Sequence, residues 1–153
     1  MPAKLPKENS INIRNMCLQD VQSVAKIEQE NFSRPWSEDS FRKAIEEAHT
    51  IYIIAECDSK VVGYAGIWIA AYEGEITNVS VAQEYRGQEI GRQLLEKLLI
   101  FSRKAGVTSF YLEVRTSNQK AQRLYTKQGF QVVGIRKNFY EAPLEDGIVL
   151  CKK

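Results

Sequence analysis

Apolar residues recur along this chain with two different periods, and the alternation between them predicts its elements. From Asp20 onward, Val21, Val24, Ala25 and Ile27 fall on one helical face that runs to near Phe32. Ser33-Arg34-Pro35-Trp36 breaks that helix, because Pro35 cannot continue it. Ser37 is placed to cap a second helix, with Glu38 and Asp39 at its positive end and Phe41, Ala44, Ile45 and Ala48 as its apolar face. Further on, Leu94, Leu95, Leu98, Leu99 and Ser102 share one side of a third helix, with Gly106 as its C-cap. Asn118 can cap a short fourth helix whose inner face holds Ala121, Leu124 and Tyr125, and Gly129 ends it.

Between these lie stretches with strand character: 11–14, 51–56, 61–70, 75–82, 109–114, 130–135 and 147–151. Asp58-Ser59-Lys60 reads as the turn of a hairpin, Tyr72-Glu73-Gly74 as the turn into 75–82, and 136–145 as a loop. The order is β-α-α-β-β-β-α-β-α-β-β, without repeat, linker or low-complexity segment. That order predicts one α/β domain over 10–153 behind a short disordered lead at 1–9.

Length and composition narrow the class. With 153 residues, 44% hydrophobic and 26% charged, the chain has the makeup of an ordinary globular protein with a real core. Its 21 basic and 19 acidic residues leave a net charge of +2, too balanced to argue for broad nucleic-acid binding. The polar lead lacks the apolar core of a signal peptide, and no apolar run approaches the roughly 20 residues of a membrane helix. Cys17, Cys57 and Cys151 are odd in number and widely spaced; with the single His49 they read as reduced thiols of a cytoplasmic protein, not as a disulfide framework or metal site.

One stretch carries more chemistry than the rest. The β-branched residues of 75–82 lead into Arg86-Gly87-Gln88-Glu89-Ile90-Gly91-Arg92, and the third helix follows at once. A strand–turn–helix with glycine in the turn aims several backbone N–H groups at one spot, where the helix dipole adds positive potential. Such a turn can hold a phosphate or pyrophosphate.

The motif Arg86-Gly87-Gln88-Glu89-Ile90-Gly91 resembles the pyrophosphate motif Q/R-x-x-G-x-G/A of the GNAT acetyltransferase superfamily, with Glu89 where glycine is usual. The resemblance runs from Ile11 to about Cys151 and implies a single mixed central sheet of about seven strands flanked by about four helices. Ile27-Glu28-Gln29-Glu30 with Pro35-Trp36-Ser37-Glu38, Leu112-Glu113-Val114-Arg115 with Asn118, Leu124-Tyr125 with Gly129-Phe130, and Arg136 to Tyr140 with Glu145-Asp146 stand in order. Together they resemble the bacterial ribosomal-protein alanine N-acetyltransferases (RimI type).

That resemblance implies acetyl transfer from acetyl-CoA, with no metal, to the N-terminal amine of a protein, and a monomer or weak dimer. It assigns Glu113 as general base and Tyr125, seven residues after Asn118, as the acid for the CoA thiolate. It assigns cofactor contacts to Val79, Ser80, Val81, the turn Arg86, Gly87, Gln88, Glu89, Ile90, Gly91 and Arg92, and Asn118. Tyr140, Trp36 and Phe139, aromatic residues beside turns, are the candidates for acceptor contact.

From the residues alone each assignment has a plainer counterpart. Glu113 can be a solvated strand-edge carboxylate or a partner for Arg115, Tyr125 a core aromatic, Asn118 only a cap, and Trp36 a plug between the first two helices. Glu89 brings a charge into the turn: about 4 Å from a phosphate charge, repulsion is about 1 kcal/mol in water and about 4 at an effective dielectric of 20. The expectation is a working site of weakened affinity, with Arg86 or Arg92 available to offset the charge. Lysine side chains, small amines, or acetyl-CoA binding with little activity are the alternatives.

Overall fold

Residues 11–153, which the computed structural model describes, form one seven-stranded sheet with helices on both faces. The strands are β1 (Ile11–Asn15), β2 (Thr50–Cys57), β3 (Lys60–Ala70), β4 (Glu73–Val81), β5 (Ser109–Arg115), β6 (Gln131–Tyr140) and β7 (Glu145–Lys152). The helices are α1 (Val21–Asn31), α2 (Glu38–Glu46), α3 (Ile90–Lys104) and α4 (Gln119–Lys127), in the order that the hydrophobic pattern predicts. The lead expected at 1–9 lies outside the described residues. No helix among the described residues is long and apolar enough to cross a membrane.

The strands run β1-β2-β3-β4-β5-β7-β6 across the sheet. β4 and β5 pair in parallel and the other neighbours are antiparallel. One face packs on α3, whose Leu94, Leu95, Leu98 and Leu99 are buried against Ile53, Ile67, Phe110 and Leu112. Burying such a side chain stabilises by roughly 1.5–3 kcal/mol. The opposite face packs on α1 and α2, where Val24, Ile27 and Phe41 meet Tyr52, Ile54 and Tyr64. Because β2 and β3 are covered on both sides, their apolar residues run together instead of alternating. Ser37 caps α2 by accepting from the Ser40 amide.

Several boundaries differ from the expectation. α2 stops at Glu46, so Ala48 lies beyond the helix and is exposed. β4 begins at Glu73, with the turn at Ala71–Tyr72. A 3-10 turn at Gln83–Tyr85 separates β4 from the Arg86–Glu89 turn, after which the helix starts at once, at Ile90. The largest difference is at 136–145. Residues 136–140 continue β6, which pairs through Tyr140 with Glu145 of β7 and leaves only 141–144 as the connection. β6 is an edge strand, exposed along most of its length, and the run Arg136-Lys137-Asn138 therefore lacks the burial pattern of a strand. The register shifts between Arg136 and Tyr140, and Asn138 has φ 54°.

The β6–β7 connection is tied to the segment after β5. The Glu145 carboxylate accepts from Thr116 Oγ1 at 2.9 Å and the Ser117 amide at 2.6 Å, and Arg115 Nη1 lies at 3.2 Å. Hydrogen bonding, led by the Ser117 hydroxyl, pulls its pKa down from 4.5 to about 2. A depressed carboxylate pKa stabilises the fold in full above the unfolded value, and that stability is lost as pH falls from 4.5 toward 2. The variant Glu145→Gln is therefore expected to melt below the native protein at neutral pH. The gap in Tm should close across that acid window; a gap that stays constant down to pH about 2 would contradict the linkage.

Candidate active site

The site begins where two strands part. β4 and β5 pair only at Glu73↔Ser109, Gly74↔Phe110 and Glu75↔Tyr111. β4 then continues to Val81 and β5 to Arg115, the latter held by β7 alone. A bulge helps β4 turn away: Gly66 of β3 faces Asn78 and Ile67 faces Ile76, which leaves Thr77 as the extra residue. Ile76 and Val79 pack on the α3 side, while Thr77 bonds Tyr52 and Asn78 bonds Glu28 on the other. Past Glu75, alternate backbone groups of β4 point into the gap without a strand to receive them.

A groove of about 430 Å³ fills that gap. Its walls include Val79, Ser80 and Val81, the turn residues Arg86, Gly87, Glu89, Ile90, Gly91 and Arg92, and Asn118. The structure thus brings together all but one of the residues expected to contact cofactor. Gln88 does not line the groove; its Oε1 is buried without a hydrogen-bond partner among the described residues. Asn118 both caps α4, accepting from the Ala121 amide at 3.1 Å, and faces the groove. Asn31, Phe32, Tyr85, Lys120, Ala121 and Leu124 also line it and escaped the sequence reading. The periodicity of α4 already puts Ala121 and Leu124 on one face, and Lys120 is a cation in its first turn. Asn31 offered no signal: it is fixed by long-range bonds from its Nδ2 to Ser80 Oγ at 2.5 Å and the Val81 carbonyl at 2.9 Å.

The turn has a shape that could hold an anion. Gly87 at φ 78° and Glu89 at φ 65° curl the chain so that successive N–H groups converge. The first α3 bond runs from the Gln93 amide to the Glu89 carbonyl, which leaves the amides of Ile90, Gly91 and Arg92 without an acceptor inside the helix. Glu89 is left-handed, the conformation that costs a side-chain-bearing residue roughly 1–2 kcal/mol and explains why glycine suits the position. Its side chain is 66% exposed and meets Arg92 Nε at 2.5 Å. Arg92 offsets the Glu89 charge, while Arg86 bonds the Asn31 side chain.

Glu113 lies on the part of β5 that has left β4. Its neighbours Leu112 and Val114 face the α3 core, so Glu113 points to the opposite face. Its side chain is 15% exposed. Burial, reinforced by the charge of Glu75, pushes its pKa up, and Arg136 at 3.6 Å opposes the shift. The expected alternative partner, Arg115, instead pairs with Glu145 at 3.2 Å.

Tyr125 is 6% exposed, packed edge-on to Phe130 with centroids 5.5 Å apart. Burial holds its phenol well above the usual range, with a further push from Tyr140. Tyr140 is half-buried, and burial and then Glu113 raise its pKa to about 12.

Trp36 and Tyr140 stand on separate connections. Trp36 packs against Phe41 and Tyr52, with ring centroids 5.3 and 6.4 Å away, so it serves as the plug between α1 and α2. Its backbone amide donates to Glu28 at 2.9 Å. Glu28 is only 2% exposed and also accepts from the Tyr64 phenol and from Asn78 Nδ2 at 3.1 Å. Phe139 and Tyr140 sit at the end of β6, not on a loop, with rings edge-on at 4.9 Å. Arg34, beside Trp36, reaches Glu141, beside Tyr140, at 3.0 Å, so an exposed ion pair joins the two connections. Cys17, Cys57 and Cys151 do not line the groove.

Known proteins are similar to this chain in sequence and arrangement. The chain is 40% identical over 139 residues to a putative ribosomal protein bS18-alanine N-acetyltransferase of Bacillus subtilis, covering 90% of this chain and 92% of that one. It is 34% identical to the ribosomal protein bS18-alanine N-acetyltransferase of Escherichia coli K12 over 84% of each. The crystal structure of the ribosomal-protein-S18-alanine N-acetyltransferase from Escherichia coli superposes with a TM-score of 0.86, 31% identity and 92% coverage of both chains. Residues 21–130 match the model of the acetyltransferase (GNAT) family, and the chain, with the parted strands and glycine turn described above, belongs to that family.

Proposed function

We propose that this enzyme is an N-alpha-acetyltransferase that moves acetyl from acetyl-CoA to the N-terminal amine of a protein, the acceptor being the N-terminal alanine of a small-subunit ribosomal protein. The observation that carries this reading is the largely buried Glu113, raised in pKa, on the diverged strand between the groove and the hairpin that bears Tyr140. The names of the relatives support the ribosomal acceptor.

The chemistry fits such an acceptor. A protein N-terminal amine has a pKa of about 7.7–8.0, so part of it is neutral near pH 7, whereas a lysine amine near 10.4 is not. A carboxylate of raised pKa is a modest base, sufficient to take the proton of the attacking amine through water. A backbone N–H of Val79, Ser80 or Val81 polarises the thioester carbonyl, and the turn amides with Arg86, Arg92 and Lys120 hold the diphosphate. A thiol ordinarily ionises near 8.5, below the raised phenol of Tyr125. Tyr125 therefore acts by hydrogen bonding to the departing sulfur ahead of any full proton transfer. Tyr140 and Phe139 contact the acceptor peptide, and Trp36 shapes its entry.

The deciding experiment is acetyl transfer from acetyl-CoA to a short peptide with a free N-terminal alanine, beside an N-terminally blocked peptide containing lysine. Transfer to the free terminus alone is expected. Transfer to lysine would move the acceptor class, and binding of acetyl-CoA without transfer would leave a binding protein. Glu113→Gln should lower kcat by roughly 10²–10⁴-fold with acetyl-CoA affinity kept, as calorimetry would report; unchanged kcat would remove Glu113 from the chemistry. Since Arg92 already offsets Glu89, Glu89→Gly should tighten acetyl-CoA binding by less than about tenfold, or about 1.4 kcal/mol, and unchanged affinity would show that the carboxylate neither crowds nor repels the diphosphate.

A further inference from the structure

We infer that Arg115 is a positioning residue for the acceptor: its guanidinium fixes the ring of Tyr140 and the turn behind it, and so sets where the attacking amine sits. The inference rests on Tyr140 meeting the acceptor, as proposed above.

Arg115 ends β5, two positions beyond Glu113. Its Nη1 donates to the Pro143 carbonyl at 2.9 Å and to Glu145 Oε1 at 3.2 Å, and its Nη2 donates to the Glu141 carbonyl at 2.8 Å. The guanidinium carbon lies 4.6 Å from the centroid of the Tyr140 ring. One side chain thus grips both ends of the β6–β7 connection and one face of the aromatic residue that precedes it. Phe139 closes on the same ring edge-to-face, so little of Tyr140 is left unconstrained.

The main chain of Arg115 is equally engaged. Its carbonyl accepts from the Asn118 amide at 2.9 Å and from Gln122 Nε2 at 3.2 Å, which starts α4. Glu145 closes the circuit by accepting from Thr116 and Ser117, immediately before the groove residue Asn118. The hairpin that meets the acceptor and the helix that meets the cosubstrate are therefore registered against each other through one residue. A planar fork can donate to two carbonyls and a carboxylate while its face covers a ring, and an ammonium cannot. The Arg34–Glu141 pair, by contrast, is exposed at both ends and confers little rigidity.

The test uses the full chain in four forms besides the native one: Arg115→Gln, Arg115→Lys, Tyr140→Ala and the double variant Arg115→Gln/Tyr140→Ala. Acceptor KM and kcat are measured with the free N-terminal alanine peptide, and acetyl-CoA Kd by calorimetry. Both Arg115 variants should raise acceptor KM by roughly tenfold or more, equivalent to about 1.4 kcal/mol, while the acetyl-CoA Kd stays within about twofold. The double variant should be no worse than Tyr140→Ala alone, because two residues that act through one contact do not add. An Arg115→Lys enzyme that performs like the native one, or losses that multiply in the double variant, would overturn the inference. If Tyr140→Ala itself leaves transfer intact, the acceptor role of Tyr140 falls and this inference with it. If Tyr140→Ala is impaired and Arg115→Gln is not, only the role of Arg115 falls. An unchanged acetyl-CoA Kd certifies the fold of each variant; should Arg115→Gln fail to fold, Arg115→Lys carries the decision.

Discussion

Three residue pairs hold β4 to β5, and the structure depends on there being no more. A sheet normally spends its backbone hydrogen bonds on continuity. Here the pairing stops at Glu75↔Tyr111, and β5 is kept in the sheet by β7 on its other side. The released edge of β4, the start of α3 and the first turns of α4, with Ala121 and Leu124, then border one opening. The family's cosubstrate chemistry follows from this interruption: an extended molecule with amides can lie against unpaired β4 while its charged end meets the turn before α3.

The electrostatics divide along the same line. On the groove side, positive character comes from backbone amides, Arg86, Arg92 and Lys120, with Glu89 turned outward onto Arg92. Away from the groove wall, Glu113 and Tyr140, and Tyr125 in the α3-side core, are all raised in pKa by burial, a setting that favours neutral forms. Beneath both, Glu28 bonds Asn78 at the β4 bulge and the amide of Trp36 at once, so the bend of the strand and the α1–α2 connection share a buried anchor. A carboxylate in such a place is tolerated because its donors, including the Tyr64 phenol, satisfy its oxygens.

Much of this was legible in the sequence, for physical reasons that also mark the limits. Helix periodicity identified the buried stripe of α3, and the capping chemistry of Ser37 and Asn118 located two helix starts, because those signals are local. The turn before α3 was legible from glycine and arginine, yet its detail was not: the left-handed φ of Glu89 depends on how the chain enters the helix after the 3-10 turn. The end of β6 was hidden because an exposed edge strand has no apolar face to display. Partners brought together over long separations, such as Arg115 with Glu145 and Asn31 with Ser80, left no trace in spacing. Glu113 was singled out by resemblance; its burial and its Arg136 partner emerged only from the fold.

Thr77 shows how narrow the margin between architecture and opening can be. As the extra residue of the bulge, it lets Ile76 and Val79 share one side of β4 and Asn78 and Ser80 the other. A chain lacking it would keep each of those side chains on its present side, since simple alternation would suffice. What it would lose is the bend that carries β4 away from β5. One inserted residue thus bends the strand without changing the side on which any of its buried neighbours lies.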